Sequence, residues 1–319
     1  MKTRMMYMLY SVVTTVAMFM SALPSLAQQT APTTTVPVTI AVTANVPNGK
    51  RTPQINLEDV VVKQGKQRLQ VTEWTPAQGY PAELDLFILI DDASNPSLGS
   101  NLDDLRGFIN AQSPKTLVGV GYMRNATVQI AQDLTTDHAA AAKALRLPTG
   151  SAGAYGSPYL SVTDLMKRWP ESDNRREVVM ITDGIDSPRR GPRSQGLSNN
   201  PYVDSASAVA MRTGTIIHTI YAPGDSRLHR NYWEATNGQM NIARLSEITG
   251  GESYFLGLQS PVSLKPYLDD LQKVVDNRYL LSFSAKPGAK PGLQYVTLST
   301  EVAGVEFSAP DAVWVPAAR

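Results

Sequence analysis

The chain has 319 residues, of which 42% are hydrophobic and 18% are charged. This apolar fraction excludes wholesale disorder and is enough for one large domain, or for a medium domain and a small one. The 29 basic and 28 acidic residues nearly balance, which argues against a nucleic-acid binder driven by a global positive field. The absence of cysteine excludes disulfide scaffolds, cysteine-ligated zinc, thiol catalysis and a lipidated N-terminal cysteine.

The N-terminus predicts export. Lys2 and Arg4 precede the largely apolar run 5–23, and residues 25–27 (SLA) match the small-x-small pattern of a signal-peptidase site. We therefore expect residues 1–27 to be a cleaved signal peptide, with a retained membrane anchor as the alternative because the apolar run is nearly long enough to span a bilayer. The mature chain would be periplasmic or extracellular. No later segment is apolar enough to span a membrane.

The segment after the signal has the pattern of strands alone. Residues 28–36 are rich in Thr, Pro and Gln and predict a flexible leader. Between residues 37 and 80, β-branched runs at 38–46, 60–66 and 68–74 are separated by turn residues. This pattern predicts an N-terminal β segment.

Between residues 81 and 277, strand patterns alternate with helical patterns. Buried-strand patterns occur at 84–90, 117–122, 127–134 and 177–182, and further strands are predicted at 215–221 and 253–256. Helical patterns occur at 102–109, 139–145, 157–169, 203–211, 242–248 and 264–275. This alternation predicts an α/β fold, a doubly wound and mostly parallel sheet with helices on both faces. Residues 278–316 return to β, with antiparallel strands predicted at 279–284, 294–300 and 305–308 around a turn at 286–288.

Acidic side chains follow two of the predicted central strands. Asp91 and Asp92 come directly after one strand, and Asp183 follows another. The Gly-rich loop 150–159 lies between them in sequence and carries Ser157. Because open α/β sheets bind ligands beyond the carboxyl ends of their strands, we expect these residues to meet at one edge of the sheet.

The element order and the acid positions resemble the von Willebrand factor A (VWA, integrin I-like) domain. The closest resemblance is to the VWFA-related group of exported bacterial proteins, of acidobacterial type, since the turn at 65–66, the pair Gly250-Gly251 and the run 278–281 also match. The resemblance covers about residues 83–277 and extends to the flanks. It implies that 37–80 and 278–316 pair into one small β-sandwich-like domain.

In that family, three loops carrying Asp-x-Ser-x-Ser, Thr and Asp form a metal-ion-dependent adhesion site, which an acidic side chain of the partner completes. The resemblance assigns Asp91 to the first loop, Ser157 to the Thr position and Asp183 to the third loop. Ala93 and Asn95 stand where the family has serines, so the motif is degraded.

Two sources of positive charge stay open for the acids at this edge. The first is Mg²⁺, or Mn²⁺ or Ca²⁺, bound by oxygen atoms of the protein. Aligning the first motif at residue 91 or at residue 92 gives these candidate ligands: Asp91, Asp92, Asn95, Ser157 and Asp183. The second is a metal-free edge in which arginines of the following loop neutralise the carboxylates: Arg189, Arg190 and Arg193.

The resemblance implies an exported, non-enzymatic module for protein binding or adhesion, with a metal-free scaffold of a cell-envelope assembly as the alternative. We expect a protein partner, through one of its acidic side chains, and no nucleic acid. The rim of the binding surface is predicted to comprise Asp186, Arg189, Arg190, Arg193, Tyr232 and Trp233. His218 interrupts a predicted buried strand, which favours a core histidine over a catalytic base.

Overall fold

The computed structural model describes residues 35–46, 53–77, 83–186, 200–224, 232–255, 257 and 261–317. The predicted signal peptide, most of the predicted leader and the predicted rim arginines at 189, 190 and 193 lie outside these residues. Within the described ranges, no helix combines the length and the apolar character needed to cross a bilayer.

Strands and helices alternate through the middle of the chain, with strands alone on either side. The strands are β1 (Val36–Asn45), β2 (Val60–Gln64), β3 (Gln67–Arg68), β4 (Val71–Pro76), β5 (Leu84–Asp91), β6 (Leu117–Arg124), β7 (Thr127–Thr135), β8 (Arg175–Thr182), β9 (Thr215–Tyr221), β10 (Ser253–Tyr254), β11 (Arg278–Ala285), β12 (Gly292–Tyr295), β13 (Thr297–Thr300), β14 (Glu306–Ser308) and β15 (Ala312–Val315). The α-helices are α1 (Leu102–Asn110), α2 (His138–Lys143), α3 (Pro158–Arg168), α4 (Pro201–Thr213), α5 (Tyr232–Thr249) and α6 (Lys265–Asp276).

The central sheet has six strands in the order β10-β9-β8-β5-β6-β7. All neighbours are parallel except β6 and β7, which confirms the predicted mostly parallel α/β fold. The strand at 127–134 was predicted to be buried, and this is wrong. It is β7, an antiparallel edge strand of mixed exposure, because the chain reverses at Asn125 and Ala126, both of which have positive φ.

Side chains of β5 alternate between two apolar layers, since successive residues of a strand point to opposite faces. Leu86, Ile88 and Ile90 pack in the layer that contains the buried faces of α1, α2 and α6. Phe87 and Leu89 pack in the layer that contains those of α3, α4 and α5. The sheet is therefore covered on both sides, and its strand ends are the places where polar side chains reach the surface.

Local signals set several helix ends. The predicted N-cap Asp137 accepts a hydrogen bond from the N–H of Ala140 at 2.9 Å, and α4 ends at Gly214, whose φ is 66°. The predicted start of the helix at 242 is wrong, because α5 begins at Tyr232. Its first turns bury only small side chains there, Ala235 and Gly238, so the apolar period that marks a helix is missing from the sequence.

The flanking strands form three antiparallel sheets. Their orders are β14-β1-β11-β4, β13-β2-β3 and β12-β15. β1 from the N-terminal side lies between β11 and β14 from the C-terminal side, with Ile40 opposite Leu281. That these flanks form a separate domain stays a prediction.

The single strand predicted at 294–300 is divided in the structure. β12 pairs with β15, whereas β13 pairs with β2, so the chain changes sheets at Val296. The side chain of Val296 is buried, and its N–H donates to the carbonyl of Asp311 at 3.2 Å. The predicted pairing around 286–288 does not occur either, because β11 pairs with β1 and β4.

A buried ionic network joins the central sheet to the flanking strands. Glu177 of β8 and Arg278 of β11 are 0% and 1% exposed, and Nε of Arg278 lies 3.0 Å from Oε1 of Glu177. Arg175 contacts the same oxygen at 2.9 Å. His218 lies 3.0 Å from the other oxygen and accepts from the N–H of Glu252 through Nδ1, so its proton is on Nε2 and the ring is neutral.

We expect acid to weaken this network. Burial alone would raise the pKa of Glu177, but Arg278, His218 and Arg175 lower it to about 2. The stabilisation is therefore complete above the ordinary value of 4.5 and is lost as the pH falls towards 2, at a cost of about 3 kcal/mol. Burial also lowers the pKa of His218, which adds a loss that begins near pH 6.5. Urea unfolding from pH 7 to pH 2 measures both effects.

The variant Glu177→Gln isolates the loss of stability between pH 4.5 and pH 2. Its loss of unfolding free energy between pH 4.5 and pH 2 should be about 3 kcal/mol smaller than that of the wild type. Asp204→Asn, which removes an exposed ion pair with Arg244 at 2.6 Å, should keep the wild-type pH dependence. Equal losses in Glu177→Gln and the wild type would contradict the assignment.

Candidate functional site

The two strands that end in acids are neighbours in the central sheet. β5 pairs with β8 up to Ile90 and Ile181, and the hydroxyl of Thr182 donates to Oδ2 of Asp91 at 2.7 Å. We call the edge where β5, β8 and β9 end the carboxyl edge. It comprises residues 91–98, 182–186 and 221–224, with the loop 144–157 against it.

Asp91 organises the first loop of the carboxyl edge. Its Oδ1 accepts from the N–H of Ala93 at 2.9 Å, and its backbone carbonyl accepts from the N–H of Ser94 at 3.0 Å. The N–H of Asn95 donates to the carbonyl of Pro223 at 2.9 Å, which fixes this loop to the end of β9. Together with the bond from Thr182, both carboxylate oxygens of Asp91 have protein partners.

Asp92 is neutralised by arginine. Its side chain is fully buried, and Arg146 approaches both carboxylate oxygens, at 2.7 and 3.1 Å. Arg124 lies 3.7 Å from Oδ2, and the N–H of Thr149 donates to Oδ1 at 3.2 Å. The guanidinium of Arg146 also lies 3.7 Å above the ring of Tyr122. We call the two-bond pair of Arg146 and Asp92 the fork. A pair of this type holds a buried carboxylate in one orientation.

The third loop depends on two glycines. Asp183 accepts the N–H of Ile185 through Oδ1 at 2.9 Å, and Gly184 between them has φ 72°. A Cβ at Gly184 would lie 2.4 Å from the carbonyl oxygen of Gly238, and one at Gly238 would lie 2.1 Å from that of Asp183. Only glycine at both positions lets α5 approach this closely.

Ser157 and Asp186 meet at the start of α3. Ser157 is the N-cap, and its hydroxyl accepts from the N–H of Leu160 at 3.3 Å. Burial raises the pKa of Asp186, although hydrogen bonds from Ser157 and Asn200 act in the opposite direction. Tyr159 donates to the carbonyl of Gly184 at 2.7 Å. These bonds tie the second loop to the third.

Two of the predicted cation ligands, Asp92 and Asn95, have their oxygens bound by groups of the protein. Asp92 is bound by Arg146, Ala93 has no ligand atom, and Oδ1 of Asn95 accepts from the N–H of Ser97 at 2.9 Å. In the described ranges, no three His, Asp or Glu side chains form a group that could hold a metal. The cleft beside Asp91 and Ser157 has a volume of about 10 Å³, the space of one water-sized sphere.

The structure brings most of the predicted site residues together. The residues at the carboxyl edge or in the loop against it are Asp91, Asp92, Asn95, Ser157, Asp183 and Asp186. Within this set, Asp92 is bound by Arg146, and Asn95 caps a short 3₁₀ turn. Tyr232 and Trp233 are exposed at the start of α5. The predicted arginine clamp from 189, 190 and 193 lies outside the described residues. Sequence reasoning missed Arg124 and Arg146, which no local motif marks.

No protein-family model matches the chain, and no curated protein matches it. Among solved structures, it is similar to an aerotolerance-related membrane protein from Bacteroides fragilis, with 11% identity over 60% of this chain and 98% of that one and a TM-score of 0.43. The VWA domain of SpRpn10 is 14% identical over 59% of this chain and 93% of that one, with a TM-score of 0.37. The human COPII-coat protein Sec24c is 8% identical over 73% of this chain and 44% of that one, with a TM-score of 0.40.

The variant Arg146→Gln should destabilise the chain by about 2 to 3 kcal/mol, because it removes two charge-assisted hydrogen bonds from a fully buried carboxylate. Urea unfolding at pH 7 measures the change. Lys265→Gln is the matched control, since Lys265 and Asp269 form an exposed pair at 2.7 Å, and it should cost at most about 0.5 kcal/mol. A loss in Arg146→Gln no larger than that of the control would contradict the role given to the fork.

Proposed function

We propose that the chain is a non-enzymatic protein-recognition module that binds its partner at the carboxyl edge. The observation that carries this proposal is the distribution of exposed apolar side chains. Ten large apolar side chains in the described residues are more than a third exposed. Six of them lie in or beside the carboxyl edge: Leu147, Tyr202, Tyr232, Trp233, Phe255 and Val262.

The topology explains why these side chains lie together. α4 and α5 each lead into the amino end of the next parallel strand, so their first turns lie at the carboxyl edge. Phe255 follows the end of β10, and Val262 precedes α6. Exposed apolar residues grouped in this way mark interaction surfaces more often than singly scattered ones do.

Tyr232 and Trp233 are the proposed anchors. They are 62% and 72% exposed, and their rings meet edge to face with centroids 5.8 Å apart. Aromatic side chains are enriched among the residues that contribute most to protein–protein binding, since they bury a large area at low entropic cost.

The arginines of the carboxyl edge suit an acidic side chain of the partner. Arg124 and Arg146 share the single buried carboxylate of Asp92, while their own side chains are 36% and 41% exposed. We propose that their guanidinium groups replace the cation that the VWA resemblance implies, so that recognition is independent of metal.

Export and family placement belong to the same proposal. The charged start, apolar run and small-residue site in residues 1–27 support secretion to the periplasm or outside the cell. The matches at the flanks support a place in the acidobacterial-type VWFA-related group. A structural scaffold of an envelope assembly is the competing function.

Affinity capture with the tagged mature chain, residues 28–319, tests the proposed surface. A partner captured from the envelope fraction of the source organism should be lost with Trp233→Ser, because the variant removes an anchor without disturbing the core. Tyr295→Ser is the matched control, since Tyr295 is 75% exposed on β12 in the flanking strands, and it should capture the same partner. Equal capture by Trp233→Ser and the wild type would contradict recognition at the carboxyl edge and favour the scaffold.

A further inference from the structure

A groove of about 400 Å³ lies far from the carboxyl edge, where the flanking strands meet the amino ends of β8 and β9. One wall comes from β1, β11 and β15, and the other comes from residues 173–176 and the end of α4. Its volume lies within the range of small-molecule sites, which occur preferentially where two parts of a protein meet.

One side of the groove is apolar and accessible. Leu280 and Met211 are half-buried, and Trp314 is 37% exposed. All three line the groove together with Ala41 and Pro310. A ligand with an apolar body would cover these surfaces and remove them from water.

The other side of the groove is basic. Arg175 is already paired with Glu177 at 2.9 Å. Arg176 donates to the carbonyls of Pro170 and Ser172 only at 3.3 and 3.4 Å. Arg212 is exposed, and its side chain makes no hydrogen bond or ion pair with a described residue. Asp173 is the only acid among the lining residues that the structure describes, so the groove carries excess positive charge.

We infer that this groove binds a small organic anion with an apolar body, such as an alkyl carboxylate. The carboxylate pairs with Arg212 and Arg176, while the apolar body packs against Leu280 and Trp314. Because the two walls come from the central sheet and from the flanking strands, the bound ligand holds these parts together. This inference is independent of recognition at the carboxyl edge, which lies at the opposite ends of the same strands.

Isothermal titration with octanoate tests the inference, with 1-octanol and inorganic phosphate as partial probes. Octanoate should bind the mature chain at one site, and each partial probe should bind at least ten-fold more weakly. Arg212→Gln should weaken octanoate at least ten-fold, and Trp314→Ser should weaken it by a similar factor. Lys167→Gln changes an exposed lysine outside the groove and should bind octanoate as the wild type does.

Several results would overturn the inference. One is the absence of octanoate binding to the wild type. Another is equal affinity of Arg212→Gln and the wild type, with thermal melting showing that both are folded. Phosphate binding as tight as octanoate would indicate an anion site without the apolar part, and octanol binding as tight would indicate an apolar site without the charge. An acidic peptide that binds while octanoate does not would assign the groove to a protein partner.

Discussion

The fork between Arg146 and Asp92 is the interaction on which the carboxyl edge depends. Asp92 follows a strand that is buried at every position and is itself fully buried, so its charge needs a partner inside the protein. Arg146 supplies that partner and brings loop 144–157 against the strand ends. The loop in turn leads into α3, whose Tyr159 donates to the carbonyl of Gly184 in the third loop at 2.7 Å. Three loops far apart in sequence are thereby held in one arrangement.

At the other end of the sheet, the buried carboxylate of Glu177 likewise holds separate parts of the chain together. Arg278 begins the C-terminal flank and reaches Glu177 within the central sheet, where it also lies beside His218. A flank that moved away would leave Glu177 with Arg175 as its remaining cationic partner in the described chain. The pair of Arg146 and Asp92 shapes the proposed recognition surface. The pair of Arg278 and Glu177 joins the flanking strands to the central sheet that presents this surface.

Local patterns predict the parts of this molecule that local physics determines. The unbroken apolar run at 84–90 indicates a buried strand, and Asp137 marks the start of α2, because each signal lies within a few residues of the structure that it specifies. Arg146 and Asp92 are 54 residues apart, and nothing in either neighbourhood marks them as partners. The change of sheets at Val296 is equally non-local, since it depends on where β2 and β15 lie. The start of α5 was missed because glycine and alanine pack there in place of large apolar residues.

We propose that arginine, in place of a metal, supplies positive charge at the carboxyl edge. Thermal melting of residues 28–319 in EDTA, Mg²⁺, Mn²⁺ and Ca²⁺ tests this proposal. A cation that bound only the folded chain at 100 times its Kd would add about 2.7 kcal/mol and raise the Tm. We expect the same Tm in all four solutions. A rise with any of the cations that Asp183→Ala abolishes would contradict it.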